Sequence, residues 1–168
     1  MKKLNVRSIV MGALIGALYA VLTYFAAAFS LAYGPIQFRI SEVLTILPVF
    51  TPAAIPGLAV GCFISNFASF NVLDLVFGTL ATLIAAILTR MFRNRLTFGV
   101  PLLSMLMPVI ANAIIIGLEI SVFYLGGFTY IGFLTSMLEV GISQTVICVG
   151  LGIPFYKLLK NRKNIFKI

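Results

Sequence analysis

Long apolar stretches without a single charged residue organise this chain. Residues 8–38, 43–73 and 96–118 contain no Asp, Glu, Lys or Arg. An apolar helix of about 20 residues crosses roughly 30 Å of hydrocarbon, so each stretch is long enough for at least one crossing. The apolar residues are consecutive and do not alternate with polar ones, which favours helices over a β-barrel. The pattern therefore predicts several membrane-spanning α-helices.

Prolines and glycines divide these stretches into separate helices. Gly34-Pro35 ends the first helix, because proline disfavours a helical conformation in the residue before it. Pro48, Pro52 and Pro56 lie too close together for one continuous helix. We therefore predict one domain of residues 1–168 with six helices, at about residues 6–31, 39–50, 53–68, 72–91, 102–125 and 130–159. The second is short for a full crossing, and we expect it to be tilted or partly sunk in the bundle.

The composition agrees with a protein whose surface faces lipid. Hydrophobic residues make up 61% of the chain and charged residues 10%, whereas a soluble domain has about 25% charged residues. The basic residues at the ends of the apolar stretches form three groups: Lys2, Lys3 and Arg7; Arg90, Arg93 and Arg95; Lys157, Lys160, Arg162, Lys163 and Lys167. Six crossings bring all three groups to one side, which the positive-inside rule identifies as the cytoplasm. We predict an all-α integral membrane protein, a six-helix transmembrane bundle with both termini cytoplasmic, and no nucleic-acid partner.

The sequence lacks the residues that several kinds of chemistry require. There is no His, the side chain that most often serves as general base and metal ligand, and there is no GxxxxGK phosphate-binding loop. Cys62 and Cys148 lie inside apolar stretches without a CxxC pattern, and we interpret them as small buried residues. We therefore predict no catalytic residue, no metal site and no cofactor, and the sequence disfavours an intramembrane enzyme.

The four acidic residues are the main functional candidates. A charged side chain near the bilayer centre costs about 2.5–3.5 kcal/mol on insertion scales. In this topology the acids lie in the outer half or near the midplane: Glu42, Asp74, Glu119 and Glu139. We therefore expect a polar cavity that opens outward and closes below the midplane. Two alternatives remain open: Glu42 can form a structural ion pair with Arg39 on one helix face, and Asp74 can cap the fourth helix.

Asparagines and aromatic residues accompany these acids. Asn112 precedes Glu119 by seven residues and therefore shares its helix face, and Asn66 lies at the outer turn near Asp74. Both asparagines are candidates to hydrogen-bond a ligand in the predicted cavity. We interpret the aromatic residues near the outer turns, Tyr124 among them, mostly as an interfacial belt, of which two or three could sandwich a flat ligand.

The first predicted helix carries closely spaced small residues. Gly12, Ala13, Gly16, Ala17 and Ala20 recur at small-xxx-small spacing, which lets helix backbones approach closely in lipid. Such a face packs either against another helix of the same chain or against another membrane subunit. The spacing alone does not decide between the two.

A distinctive pattern in the second and third predicted helices resembles a known family. Residues 33–48 read YGPIQFRISEVLTILP and residues 51–66 read TPAAIPGLAVGCFISN. Together they resemble the QueT family, the substrate-binding S components of energy-coupling factor (ECF) transporters for queuosine precursors. The resemblance implies a six-helix bundle in a bacterial cell membrane that binds its substrate from outside.

The same resemblance implies partners. S components assemble with a membrane coupling subunit and two ATP-binding subunits, which agrees with the missing phosphate-binding loop. In this class an AxxxA pattern on the first helix docks the coupling subunit, and Ala13 and Ala17 match that spacing. The connection after the first helix acts as a lid in this class, and residues 31–38 fill that place.

The implied substrate is a deazapurine, 7-aminomethyl-7-deazaguanine or a close relative. A guanine-type edge offers adjacent N–H donors that one carboxylate can accept, and the cationic arm needs a second carboxylate. We hypothesise that these carboxylates are two of the three glutamates Glu42, Glu119 and Glu139. The residues that would address the carbonyl edge are Asn66, Asn112 or Arg39.

Two other functions remain as alternatives. A stand-alone secondary transporter usually shows inverted repeats and interrupted helices at the midplane, and the sequence has no visible repeat. An S component for a different vitamin-like ligand would share the composition and topology, and only the resemblance of residues 33–66 argues against it.

Overall fold

Six helices run through the part of the chain that the structure describes. The computed structural model describes residues 5–32, 38–67 and 71–162. Its helices are numbered in chain order: α1 Val6–Ala28, α2 Ile40–Val49, α3 Ala54–Asn66, α4 Val72–Met91, α5 Leu102–Tyr124 and α6 Tyr130–Lys160. No strand occurs in the described ranges, and the predicted all-α fold with six helices is confirmed. Predictions on Lys2, Lys3, Gly34-Pro35, the lid centre (33–37), Lys163 and Lys167 lie outside the described residues.

The helices differ in length, and only four of them can span a membrane alone. By length and composition α1, α4, α5 and α6 are long and apolar enough, while α2 and α3 are shorter apolar helices. Large apolar side chains such as Ile9, Leu80 and Ile142 are exposed around the bundle, as expected for a surface that meets lipid. The chain is therefore a multi-pass membrane protein.

Helix α2 occupies the middle of the bundle. Its ten residues form a 3₁₀ helix that contains Pro48, and at about 2.0 Å per residue it spans roughly 20 Å. It contacts all five other helices, and most of its residues are buried. The expectation of a short helix sunk in the bundle agrees with this placement.

Glycines bring α1 and α3 into direct backbone contact. A Cβ atom added to Gly16 would lie 2.8 Å from the carbonyl oxygen of Gly57, and one added to Gly61 would lie 2.5 Å from that of Gly16. Gly12 meets Ala53 and Gly57 in the same way, one turn earlier. The two helices therefore run parallel at a separation that only small residues allow.

The bundle has two chemically different ends. The basic end carries Arg7 at the start of α1, Arg90 at the end of α4 and Lys157 near the end of α6. The acidic end carries Asp74 in the first turn of α4 and Glu119 near the end of α5. The helices alternate between these ends, so side chains from different helices meet at each end.

Arg90 connects two helices at the basic end. Its Nη1 donates to the carbonyl oxygens of Pro48, at 2.9 Å, and Val49, at 3.2 Å. These carbonyls belong to the last turn of α2, where backbone acceptors lack helical partners. Arg90 thereby ties the carboxyl end of α2 to α4.

Candidate functional site

The buried charged side chains of the described residues, together with several uncharged polar ones, lie where the helices reach the acidic end. A buried polar group is stable only if it is hydrogen-bonded or charge-paired, so this concentration within an apolar bundle needs a reason. The buried polar residues of these helix segments are Thr23, Arg39, Ser41, Glu42, Ser65, Asn66, Glu119, Ser121 and Ser136. They form the polar core of the acidic end, and they come from α1, α2, α3, α5 and α6 or the segments just before them.

Glu42 lies in the first turn of α2 and is 2% exposed. The hydroxyl of Tyr19, on α1, donates a hydrogen bond to Glu42 Oε1. Glu42 Oε2 has no hydrogen-bond partner among the described residues. Arg39 is close enough to Glu42 to interact with it electrostatically. One oxygen of this carboxyl group thus accepts a hydrogen bond from the protein, and the other is buried without a described donor.

Arg39 and Asn66 connect four segments of the chain. Arg39 Nε donates to the Ala32 carbonyl oxygen at 2.7 Å, and its Nη1 donates to Asn66 Oδ1 at 3.1 Å. Asn66 Nδ2 in turn donates to the Asp74 carbonyl oxygen at 2.8 Å. These bonds join the segment after α1 to the starts of α2 and α4 and the end of α3. Asn66 therefore serves first as a structural connector.

Glu119 has fewer described hydrogen bonds than Glu42, the other acid of the polar core. It is 1% exposed, and neither carboxyl oxygen has a hydrogen-bond partner among the described residues. It lies directly before the π-helical turn Ile120–Tyr124, and such turns interrupt α-helices frequently at functional sites. Its charged neighbours are Asp74 and, with the opposite sign, Arg39.

Asp74 connects Glu119 with the surface of the acidic end. Asp74 is half-buried, and its Oδ1 accepts a hydrogen bond from the Tyr124 hydroxyl at 3.1 Å. Asn71 Nδ2 also contacts that hydroxyl. The N-cap of α4 is Asn71, whose Oδ1 accepts from Leu73 N at 2.9 Å. Asn71 therefore fills the capping role considered for Asp74, and the Asp74 carboxylate is directed to Tyr124.

Asn112 lies deeper on the same helix as Glu119. It is 4% exposed, and its Nδ2 has no hydrogen-bond partner in the described part of the chain. Seven residues at 1.5 Å per residue put it about 10 Å from Glu119 along α5. The unmatched groups of the bundle therefore extend inward from the acidic end.

Comparison with known proteins identifies the family. A family model described as QueT transporter matches residues 9–161. The chain belongs to the QueT transporter family. A curated relative, the queuosine precursor transporter QueT of Lactococcus lactis subsp. cremoris (strain MG1363), is 43% identical over 84 residues. That match spans half of this chain and about half the length of the relative. No solved structure matches the chain.

Glu139 lies apart from the other acids of this QueT-family chain. It is exposed on α6, and the neighbouring Met137 and Gly141 face α5, where they meet Gly117 and Ala113. Successive residues of a helix point about 100° apart, so Glu139 lies on a different side of α6 from the α5 contact. Of the three glutamates in the sequence-based hypothesis, Glu42 and Glu119 are buried in the polar core and Glu139 is not.

The small residues of α1 divide into two faces. Gly12, Gly16 and Ala20 are buried, and the two glycines pack on α3. Ala13 and Ala17 are exposed on the adjacent face. The buried residues therefore fit packing within the same chain, and the exposed alanines form a face that is accessible to another membrane subunit.

Tyr19 and Tyr124 are the site residues that sequence reasoning missed or assigned elsewhere. Tyr19 is fully buried within α1, where a phenolic hydroxyl needs a polar partner, and that need was the available signal. Tyr124 is exposed in part, as an interfacial aromatic residue should be, but its hydroxyl contacts Asp74. The described residues contain no group of three or more His, Cys, Asp or Glu side chains placed to bind a metal ion.

Proposed function

We propose that this protein is the substrate-binding S subunit of an ECF-type importer. It binds a queuosine precursor, 7-aminomethyl-7-deazaguanine or a close relative, from outside, and partner subunits drive uptake with ATP. The observation that supports this most directly is the pair of buried carboxyl groups, Glu42 and Glu119, whose oxygens are only partly matched by donors among the described residues. A buried acceptor without a partner costs about 1–3 kcal/mol. A ligand that supplies N–H donors would remove this cost.

The ratio of acidic to basic side chains at the acidic end favours a cationic ligand. Glu42, Asp74 and Glu119 face a single described basic side chain at this end, that of Arg39. A deazaguanine base supplies neutral N–H donors, and an aminomethyl arm supplies a positive charge, which forms stronger hydrogen bonds with carboxylates. The name of the Lactococcus relative, a queuosine precursor transporter, supports the same ligand class.

The distribution of basic residues supports the proposed orientation. The basic end carries Arg7, Arg90, Arg93, Arg95, Lys157, Lys160 and Arg162. By the positive-inside rule this end is cytoplasmic, so the acidic end and its polar core face the outside. A substrate would then reach Asp74 before Glu119.

The exposed small-residue face of α1 supports the proposed partners. Ala13 and Ala17 remain accessible because Gly12 and Gly16 already make the contact with α3. Two alanines four residues apart allow another membrane helix to approach closely. This face is where the coupling subunit would dock, while the ATP-binding subunits act through that coupling subunit.

Titration calorimetry on the purified protein in detergent tests the ligand. We expect saturable binding of 7-aminomethyl-7-deazaguanine that weakens at least about tenfold in Glu42→Gln and Glu119→Gln, since a hydrogen bond to a charged group contributes about 1.5–3 kcal/mol. Glu139→Gln, on an exposed side chain, is the matched control and should bind like the wild type. Unchanged affinity in both buried variants would exclude this site. Mass spectrometry of the small molecule that copurifies with the protein separates a queuosine precursor from another vitamin-like ligand.

Reconstituted vesicles separate an S component from a stand-alone transporter. An S component should accumulate substrate only when the coupling and ATP-binding subunits and internal ATP are present. Uptake by the chain alone, driven by a proton gradient, would instead support the secondary-transporter alternative.

A further inference from the structure

The two buried carboxyl groups of the polar core have different surroundings. Glu42 has one oxygen held by the Tyr19 hydroxyl and a guanidinium, that of Arg39, close by. Glu119 has neither oxygen held by a described donor, and its charged neighbours are a second acid, Asp74, and, with a weaker influence, Arg39. The first group therefore lies near a positive charge, whereas the second lies beside another carboxyl group.

We infer that Glu119 and Asp74 form a subsite for the primary ammonium arm of the ligand, while Glu42 accepts hydrogen bonds from the neutral base edge. This assignment rests on the proposed function, because it names which carboxyl group meets which part of the proposed ligand. Its consequence is that the protein selects cationic precursors over neutral ones of the same shape.

Electrostatics at the two positions supports the assignment. An ammonium group beside Glu42 would face the positive charge of Arg39, and like charges in a buried site repel strongly. An ammonium beside Glu119 would meet two carboxyl groups, and its positive charge would favour the ionised form of both. Neutral N–H donors gain at Glu42 without adding a charge next to the guanidinium.

Hydrogen-bond geometry supports it as well. An ammonium has three donors and no acceptor, so it needs several acceptors around it. Glu119 offers two carboxyl oxygens without described donors, and Asp74 adds a carboxylate whose Oδ1 accepts from the Tyr124 hydroxyl. Glu42 offers one oxygen without a described donor, Oε2, and the remaining acceptor capacity of Oε1.

The position of the pair along the bundle suits a selective site. Asp74 is half-buried and Tyr124 is largely exposed, while Glu119 is 1% exposed. Five residues separate Glu119 from Tyr124, which corresponds to about 7 Å along α5. A cation would therefore pass from a partly solvated carboxylate to a dry one, where the absence of a charge partner costs most.

A pair of ligands with the same shape tests the inference. The probes are 7-aminomethyl-7-deazaguanine and its neutral isostere 7-hydroxymethyl-7-deazaguanine, each titrated into the full-length protein. The wild type should bind the amine at least about tenfold more tightly, since the ammonium adds an attraction between opposite charges that the hydroxyl group lacks. In Glu119→Gln the amine should lose about 10- to 100-fold in affinity, and the alcohol should change by less than about threefold.

Other variants separate the possible outcomes. Glu42→Gln should weaken both ligands by a similar factor, and Asp74→Asn should reduce the preference for the amine less than Glu119→Gln does. A wild-type protein that binds amine and alcohol equally, or a Glu119→Gln variant that weakens both equally, would overturn the inference while leaving the proposed function intact. Failure of the wild type to bind either ligand would contradict the proposed function itself. Asp74→Asn keeps the test available should Glu119→Gln fold poorly.

Discussion

A substitution on the buried small-residue face of α1 should lower stability, and one on the exposed face should prevent assembly with partner subunits. In Gly16→Ala the new Cβ atom would lie 2.8 Å from the Gly57 carbonyl oxygen and 3.5 Å from Gly61 N. The obstructing atoms are backbone atoms, so α1 and α3 must move apart. Overpacking of this kind lowers the free energy of unfolding by about 1–3 kcal/mol.

Ala17→Leu is the matched substitution one residue further along. Ala17 is exposed, and a larger apolar side chain on a lipid-facing surface should change the free energy of unfolding by less than about 0.5 kcal/mol. If this face docks the coupling subunit, the larger side chain prevents the close approach that alanine allows. We therefore expect a stable protein that no longer copurifies with co-expressed coupling and ATP-binding subunits.

The two cysteines of the chain provide the stability assay. Cys62 and Cys148 are both buried free thiols. A thiol-reactive fluorophore therefore reacts with them only as the protein unfolds. Gly16→Ala should unfold at a lower temperature than the wild type, and Ala17→Leu at the same temperature. A wild-type unfolding temperature for Gly16→Ala would refute the close α1–α3 packing. Equal destabilisation by both substitutions would show that the two faces are not separable.

The same assay checks three further predictions. Tyr19→Phe removes the described donor to the buried Glu42 carboxyl group and should lower the free energy of unfolding by about 1–3 kcal/mol. Arg90→Gln removes the charged donor to the last turn of α2 and should cost about as much, whereas Arg95→Gln, on an exposed side chain, should unfold like the wild type. Asn71→Ala should cost about 1 kcal/mol through the loss of the α4 N-cap, and an unchanged unfolding temperature would return the capping role to another residue.

The helices were predictable because burial in lipid leaves a strong trace in the sequence. Charge-free stretches and prolines indicated six helices, and α4 has the predicted bounds of residues 72–91. The first helix ends at Ala28, before the predicted residue 31, and the third at Asn66, before residue 68. Helix ends depend on local capping, which apolar sequences mark weakly. The 3₁₀ conformation of α2 was not predicted, because periodicity does not distinguish it in ten mostly apolar residues.

The small residues of α1 show why the docking face could not be assigned from the sequence. This helix is apolar on all sides, so no polar side marks the direction of lipid or core. Gly12 and Ala13 are equivalent in the small-xxx-small pattern, yet the glycine is buried against α3 and the alanine is exposed. The difference lies in the rotation of α1 about its axis, which packing against α2 and α3 determines.

The same limit separates the acids. Depth in the membrane follows from the position of a residue along a helix, and the cost of a charge at that depth made Glu42, Glu119 and Glu139 candidates for a functional role. The neighbours of a side chain depend on the rotation of its helix about the helix axis. This rotation directs Glu119 into the polar core and Glu139 to the exposed surface of α6. A carboxyl group that is deep, enclosed and without a described donor is costly in an apolar bundle, and a cationic ligand would lower that cost. Glu119 meets all three conditions, which makes it the residue on which the ligand assignment depends most.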